Sequence, residues 1–177
     1  MYRLKDVSIS YNKEVILEKT TKELLKSYTL LGENGAGKTS FAKMLLGELK
    51  SDGKLFLNGV DIESLEPKAV AKAVAYVPTK LDIFEQNLTL FEFVLLARYP
   101  YKPPFVGFSE ADEAMVVKSL EFVGLSDKVK QSMAKLSSGE NALARIATAL
   151  VGKAKYIIFD EPTANLDPKN KKKLQGS

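Results

Sequence analysis

Gly32-Glu33-Asn34-Gly35-Ala36-Gly37-Lys38-Thr39 is the stretch from which the rest of the chain can be read. It fits the pattern G-x-x-x-x-G-K-[ST]. A short apolar run, Thr29-Leu30-Leu31, precedes it and is predicted as a strand. Lys38 to Leu46 follows and is predicted as a helix, with Phe41, Leu45 and Leu46 near one face and Gly47 as its C-cap. Gly32, Gly35 and Gly37 would let successive backbone N–H groups converge on a phosphate without Cβ clashes. The positive end of the helix would point at the same place. Lys38 would reach the β- and γ-phosphates, and the Thr39 hydroxyl would serve as a Mg²⁺ ligand. The alternative is a glycine-rich turn that happens to contain Lys-Thr. The strand–loop–helix context favours phosphate.

Two further stretches carry chemistry. Tyr156 to Phe159 is a fully apolar four-residue run that ends on Asp160-Glu161. Such a run is predicted as a central strand of a parallel sheet. Asp160 at its end can hold Mg²⁺ directly or through water, and Glu161 can orient or deprotonate an attacking water. Taken alone, two acids at a strand end are a loop start; beside a phosphate loop the metal reading gains. Leu136-Ser137-Ser138-Gly139-Glu140 opens a predicted helix, Gly139 to Leu150. Small residues there make an anion-binding terminus, or simply an N-cap.

Composition narrows the classes. The chain has 177 residues, 45% hydrophobic and 27% charged, which is globular and not disordered. It contains neither cysteine nor histidine. Disulfides, thiolate and imidazole metal sites and histidine-based triads are therefore excluded, and the cytoplasm is the expected compartment. A net charge of +4 is too weak to argue for nucleic acid. No apolar run approaches the ~20 residues of a membrane span.

The remaining elements follow from pattern. Tyr2, Leu4, Val7 and Ile9 predict a strand with an irregularity near Lys5-Asp6. Glu14 to Leu17 predicts a short second strand. Asn58-Gly59 between Lys54–Leu57 and Val60–Ile62 predicts a hairpin with a type I′ turn. Val74 to Val77 predicts a strand closed by Pro78. Leu88 to Leu150 reads as helical, with capping boxes at Thr89/Glu92 and Ser109/Asp112 and a stop at Gly124. Pro168 to Leu174 is lysine-rich and reads as a solvated helix.

Together these residues resemble the ATP-binding cassette (ABC) ATPases. The run Phe159-Asp160-Glu161-Pro162-Thr163-Ala164-Asn165-Leu166-Asp167 is similar throughout to that family's Walker B strand and D-loop. Ser137 follows Lys38 by about a hundred residues, as the family's L-S-G-G-Q signature follows its P-loop. Val94 to Tyr101 and Phe108 to Asp112 look like the branch that imports iron-siderophores, haem and cobalamin.

The resemblance implies an α/β P-loop NTPase with a mainly parallel sheet, an N-terminal antiparallel β part and an inserted helical subdomain. A nucleotide-binding core would span 1–87, the helical subdomain with the signature 88–153, and Walker B, D-loop and tail 154–177. It implies ATP and Mg²⁺ held by Gly32, Glu33, Asn34, Gly35, Ala36, Gly37, Lys38, Thr39 and Ser40, with Tyr11 stacked on adenine. Thr39 and Asp160 would be the metal ligands, and Lys38 and Glu161 the catalytic residues. Ser137 and Gly139 would cap ATP bound to a second, head-to-tail copy. Membrane-embedded permease subunits would be the partners, holding the chain at the cytoplasmic face of the membrane, and nucleic acid would not be bound.

Some positions depart from the family pattern. Thr79 stands where a glutamine usually follows Tyr-Val-Pro; it is too short to reach the metal and the water, and Gln86 is no obvious substitute. There is no switch histidine, and the strand that would carry it is missing after the D-loop, so the chain is expected to be truncated or naturally abbreviated. Ser138 replaces the first signature glycine and Glu140 the glutamine. Very slow hydrolysis is therefore expected. The rival readings are a nucleotide-binding module with little or no hydrolysis, and a non-transport ABC ATPase.

Overall fold

The computed structural model describes residues 1–11, 14–24, 27–33, 35–79 and 87–160, with backbone alone for Tyr11 and Glu14. The chain forms two compact units, Met1–Ala71 and a second that begins at Lys72. The class is α/β, as expected: an antiparallel sheet in the first unit, a parallel pair and a helical layer in the second.

In the first unit β1 (Tyr2–Tyr11) is central. It pairs antiparallel with β2 (Glu14–Leu24) on one side and β3 (Asp52–Leu57) on the other, and β3 pairs with β4 (Val60–Asp61). The irregularity expected near Lys5-Asp6 is present: Asp6 has φ 55° and the register shifts there on both sides of β1. The type I′ turn is present as well, with Asn58 at φ 53° and Gly59 at φ 86°. Tyr2, Leu4, Val7 and Ile9 are buried from β1, with Leu55 and Leu57 from β3. Helix α1 (Lys38–Leu45) adds Ala42, Met44 and Leu45, and the Tyr2 hydroxyl donates to the Leu45 carbonyl oxygen at 2.6 Å.

Two expectations in this unit are corrected. The second strand does not stop at Leu17 but runs to Leu24. Its charged second half carries no apolar alternation, because on this edge strand the backbone ladder to β1 holds those residues and their side chains face water. Thr29-Leu30-Leu31 is not a strand, and Leu31 is 86% exposed. A strand forms only where a neighbour completes its hydrogen bonds, and no described strand pairs with these residues.

Helix α2 (Pro67–Ala73) leads into β5 (Val74–Val77). In the second unit, α3 (Leu90–Leu96), α4 (Glu110–Val123) and α5 (Ser138–Val151) bury Leu90, Phe93, Val94, Val116, Leu120, Ala144 and Ala147 in one core. Both expected capping boxes are formed, and Gly124 ends α4 at φ 79°. Arg98, just past α3, is 8% exposed. It is ion-paired to Asp112 at 2.7 Å and donates to the Val151 carbonyl oxygen at 3.1 Å.

β6 (Tyr156–Phe159) pairs parallel with β5, Val74 opposite Tyr156 and Val77 opposite Phe159. Its apolar composition predicts a central position. Among the described residues it has one neighbour only, and Ile157 and Phe159 are 41% and 43% exposed. Among those residues, no helix is long and apolar enough to cross a membrane.

Candidate nucleotide site

The loop after residue 27 is shaped by its glycines. Gly35 and Gly37 both take positive φ, 87° and 82°, a region that costs an L side chain about 1–2 kcal/mol. At Gly37 a second constraint applies, because a Cβ there would come within 2.1 Å of Ile16 Cγ2 on β2. Gly37 is also the N-cap of α1 and offers no side-chain cap to the helix N–H groups. The Ala36 N–H donates to the Glu33 carbonyl oxygen at 3.2 Å, which closes the loop on itself.

Lys38 opens α1 and folds back over this loop. Its Nζ donates to the carbonyl oxygens of Gly32 at 2.9 Å and Glu33 at 2.8 Å. Thr39 is exposed and Ser40 half-buried in the first turn. Gly32, Glu33, Gly35, Ala36, Gly37, Lys38, Thr39 and Ser40 thus form one local cluster at the start of α1. Asn34 and the Tyr11 side chain lie outside the described residues.

In the second unit, Ser137 is the N-cap of α5. The helix starts at Ser138, one residue earlier than expected, and Gly139 lies in its first turn. The Glu140 N–H donates to Ser137 Oγ at 3.3 Å, and the Ser137 N–H donates to Glu140 Oε2 at 2.8 Å. Lys128 Nζ lies 2.9 Å from Glu140 Oε1. The Ser137 N–H, the Lys128 ammonium and the Ser137 hydroxyl together hold the Glu140 carboxyl down at about 2. Glu140, where the family pattern has glutamine, is therefore a capping residue of α5.

Asp160 directly follows β6 and is 7% exposed. Its N–H extends the parallel ladder, donating to the Val77 carbonyl oxygen at 3.0 Å. Its Oδ2 accepts from the Tyr76 hydroxyl at 3.0 Å, and its carbonyl oxygen accepts from the Thr79 hydroxyl at 2.8 Å. The Thr79 carbonyl oxygen in turn accepts from the guanidinium of Arg145, which is 6% exposed on α5. Sequence reasoning missed Tyr76 and Arg145. The signal for Arg145 was a lone cation within Leu143-Ala144-Arg145-Ile146-Ala147, where the helical period calls for burial. Glu161 and the run to Asp167 lie outside the described residues.

The donors present suit a hard cation. An aspartate carboxylate and a threonine hydroxyl are oxygen ligands, and the chain has no thiol or imidazole. Among the described residues no three acidic side chains cluster. Mg²⁺ held by one or two carboxylates together with substrate phosphates needs no such cage.

A glycine turn at a helix start and an aspartate just past a parallel strand are features of the P-loop NTPase fold, and comparison with known proteins sharpens this. The chain belongs to the ABC transporter family, whose model matches residues 21–164. An uncharacterized ABC transporter ATP-binding protein of Methanocaldococcus jannaschii is 33% identical over 98% of this chain and 61% of its own length. The petrobactin import ATP-binding protein FpuD of Bacillus anthracis is 31% identical over 92% of this chain and 60% of its own. The iron(3+)-hydroxamate import ATP-binding protein FhuC of Bacillus subtilis is 30% identical, over 91% and 61%. The chain thus spans about three-fifths of the length of these relatives. A nucleotide-free ATP-binding cassette from an ABC transporter superposes with a TM-score of 0.81 at 23% identity, over 97% of this chain and 72% of that one. It shares the fold.

Proposed function

We propose that the chain is the ATP-binding part of an ABC importer, and that it binds ATP with Mg²⁺ at the loop from Gly32 to Ser40. The observation that carries this reading is the loop itself, where Gly35 and Gly37 hold positive φ and Lys38 stands at the opening of α1. Backbone N–H groups and the α1 dipole there favour the phosphates. Lys38 exchanges its two carbonyl partners for phosphate oxygens. Thr39 and Asp160 would hold the metal, which when bound neutralises charge on the β- and γ-phosphate oxygens. Tyr11 would stack on adenine.

Glu161 is assigned as the base that takes the proton of the attacking water. Ser137 and Gly139, at the start of α5, would cap the γ-phosphate of ATP on a second copy in a head-to-tail dimer. Permease subunits would anchor the pair at the cytoplasmic face of the membrane. The petrobactin and hydroxamate importers among the relatives support an iron chelate as the cargo.

A second reading, a nucleotide-binding module with little hydrolysis, is favoured by Thr79. Its hydroxyl is engaged on Asp160 and does not take the place of the usual glutamine. Steady-state phosphate release separates the two. The expected result is turnover well under ~1 s⁻¹, the low end of typical enzymes, with the remainder removed in Glu161→Gln. Turnover at or above that rate, abolished in Glu161→Gln, would contradict the slow-hydrolysis account.

A further inference from the structure

Asp160 is held within the second unit by two side-chain hydroxyls from β5 and the residues just after it, and one of these ties continues to α5. The Tyr76 hydroxyl fixes the carboxylate through Oδ2 at 3.0 Å. An aspartate side chain has two rotatable bonds, so one directional hydrogen bond to a carboxylate oxygen sets the second. The Thr79 hydroxyl fixes the backbone just after β6 through the Asp160 carbonyl oxygen at 2.8 Å. Thr79 is itself fixed by Arg145. Arg145 stands about 12 Å along α5 from its Ser137 N-cap. Its guanidinium is a buried cation on an apolar helical stretch, where a charge is costly unless it is engaged, and one of its nitrogens donates to Thr79.

We propose that Tyr76 and Thr79 are positioning residues for Asp160, and that Arg145 ties Thr79 to α5, the helix that Ser137 caps. The proposal rests on the reading of Asp160 as the Mg²⁺-holding carboxylate. Thr79 then has a use other than that of the glutamine it replaces. A threonine too short to reach a metal sets the strand end that carries the metal's carboxylate. A movement of α5 would be felt at Asp160 through two hydrogen bonds and no intervening loop.

The test is a Mg²⁺ titration of ATP binding by calorimetry on the whole chain, with a parallel measurement in EDTA. Partners that orient a metal ligand are commonly worth 10–100-fold in metal affinity. Tyr76→Phe and Thr79→Val each remove a hydroxyl at nearly constant shape. Both should raise the Mg²⁺ concentration at half effect about tenfold, leaving ATP affinity in EDTA unchanged. Thr79→Ser restores the hydroxyl and should recover the original response. In an Asp160→Asn background, Tyr76→Phe should have no further effect, which a merely structural role would not predict. An unaltered Mg²⁺ response in Tyr76→Phe and Thr79→Val would overturn the proposal. So would an undiminished effect of Tyr76→Phe in the Asp160→Asn background. If the unsubstituted chain itself gains no ATP affinity from Mg²⁺, the reading of Asp160 falls, and the positioning role with it.

Discussion

Lys38 Nζ donates to the Gly32 carbonyl oxygen at 2.9 Å, so the side chain that should meet phosphate is already folded over its own loop. With the second bond, to Glu33 at 2.8 Å, the ammonium is solvated by the loop carbonyls. A phosphate at the proposed site would therefore compete with these carbonyl acceptors for the cation. Those bonds are already charge-assisted on the donor side, and a phosphate oxygen would add a full opposite charge on the acceptor. The exchange accordingly favours nucleotide, by less than the full strength of the new contact.

Gly37→Ala should damage the loop by two separable routes. Its φ of 82° costs an alanine about 1–2 kcal/mol. The new Cβ also meets Ile16 Cγ2 at 2.1 Å. Denaturant unfolding should show loss of stability in Gly37→Ala and partial recovery of the steric share in Gly37→Ala with Ile16→Gly. Full recovery in the double variant would mean that the backbone conformation is not the constraint.

Asp112→Asn should destabilise the helical unit by about 3 kcal/mol, since it leaves the buried Arg98 guanidinium without its carboxylate. Thermal unfolding checks this. A loss below ~0.5 kcal/mol, the range of ordinary surface substitutions, would show that the pair is not needed.

Acid should weaken the same unit in a defined window. The Ser109 hydroxyl and the Arg98 guanidinium hold the Asp112 carboxyl down at about 2. The partners of Glu140 do the same there. Both groups are depressed on folding, so their stabilisation is fully present above the ordinary carboxylate values of 3.8 and 4.5. It is lost as pH falls through those values toward about 2. The melting temperature should fall across that window, less steeply in Glu140→Gln. An identical acid-side slope in that variant would remove Glu140 from the account.

Much of this was legible in the residues. Asn58-Gly59, the capping pairs at Thr89 and Ser109, and the Gly124 stop are local chemistry, and each appears where the sequence puts it. The glycine turn before α1 was legible for the same reason, while its role toward phosphate is a proposal. Features set by partners elsewhere in the chain were not. Lys22 and Glu23 lie in β2 because β1 offers them a ladder, which no alternation records. Leu30 and Leu31 look like a strand, but a strand is a property of its neighbours, and none of those described pairs with them. At Ser137 both readings of the small-residue run were open. The structure shows an N-cap, satisfied by Glu140, and this leaves a role toward phosphate as a proposal. The hold on Asp160 was hidden because Tyr76 and Thr79 are far in sequence from both Asp160 and Arg145, and these residues meet only through β5, β6 and α5.

The most direct test of the central claim is calorimetric titration of the chain with ATP and Mg²⁺, set against Lys38→Ala. Saturable binding in the unsubstituted chain, with most of the affinity lost in Lys38→Ala, is the predicted result. Equal affinity in the two proteins would place the nucleotide elsewhere and contradict the assignment of Gly32 to Ser40.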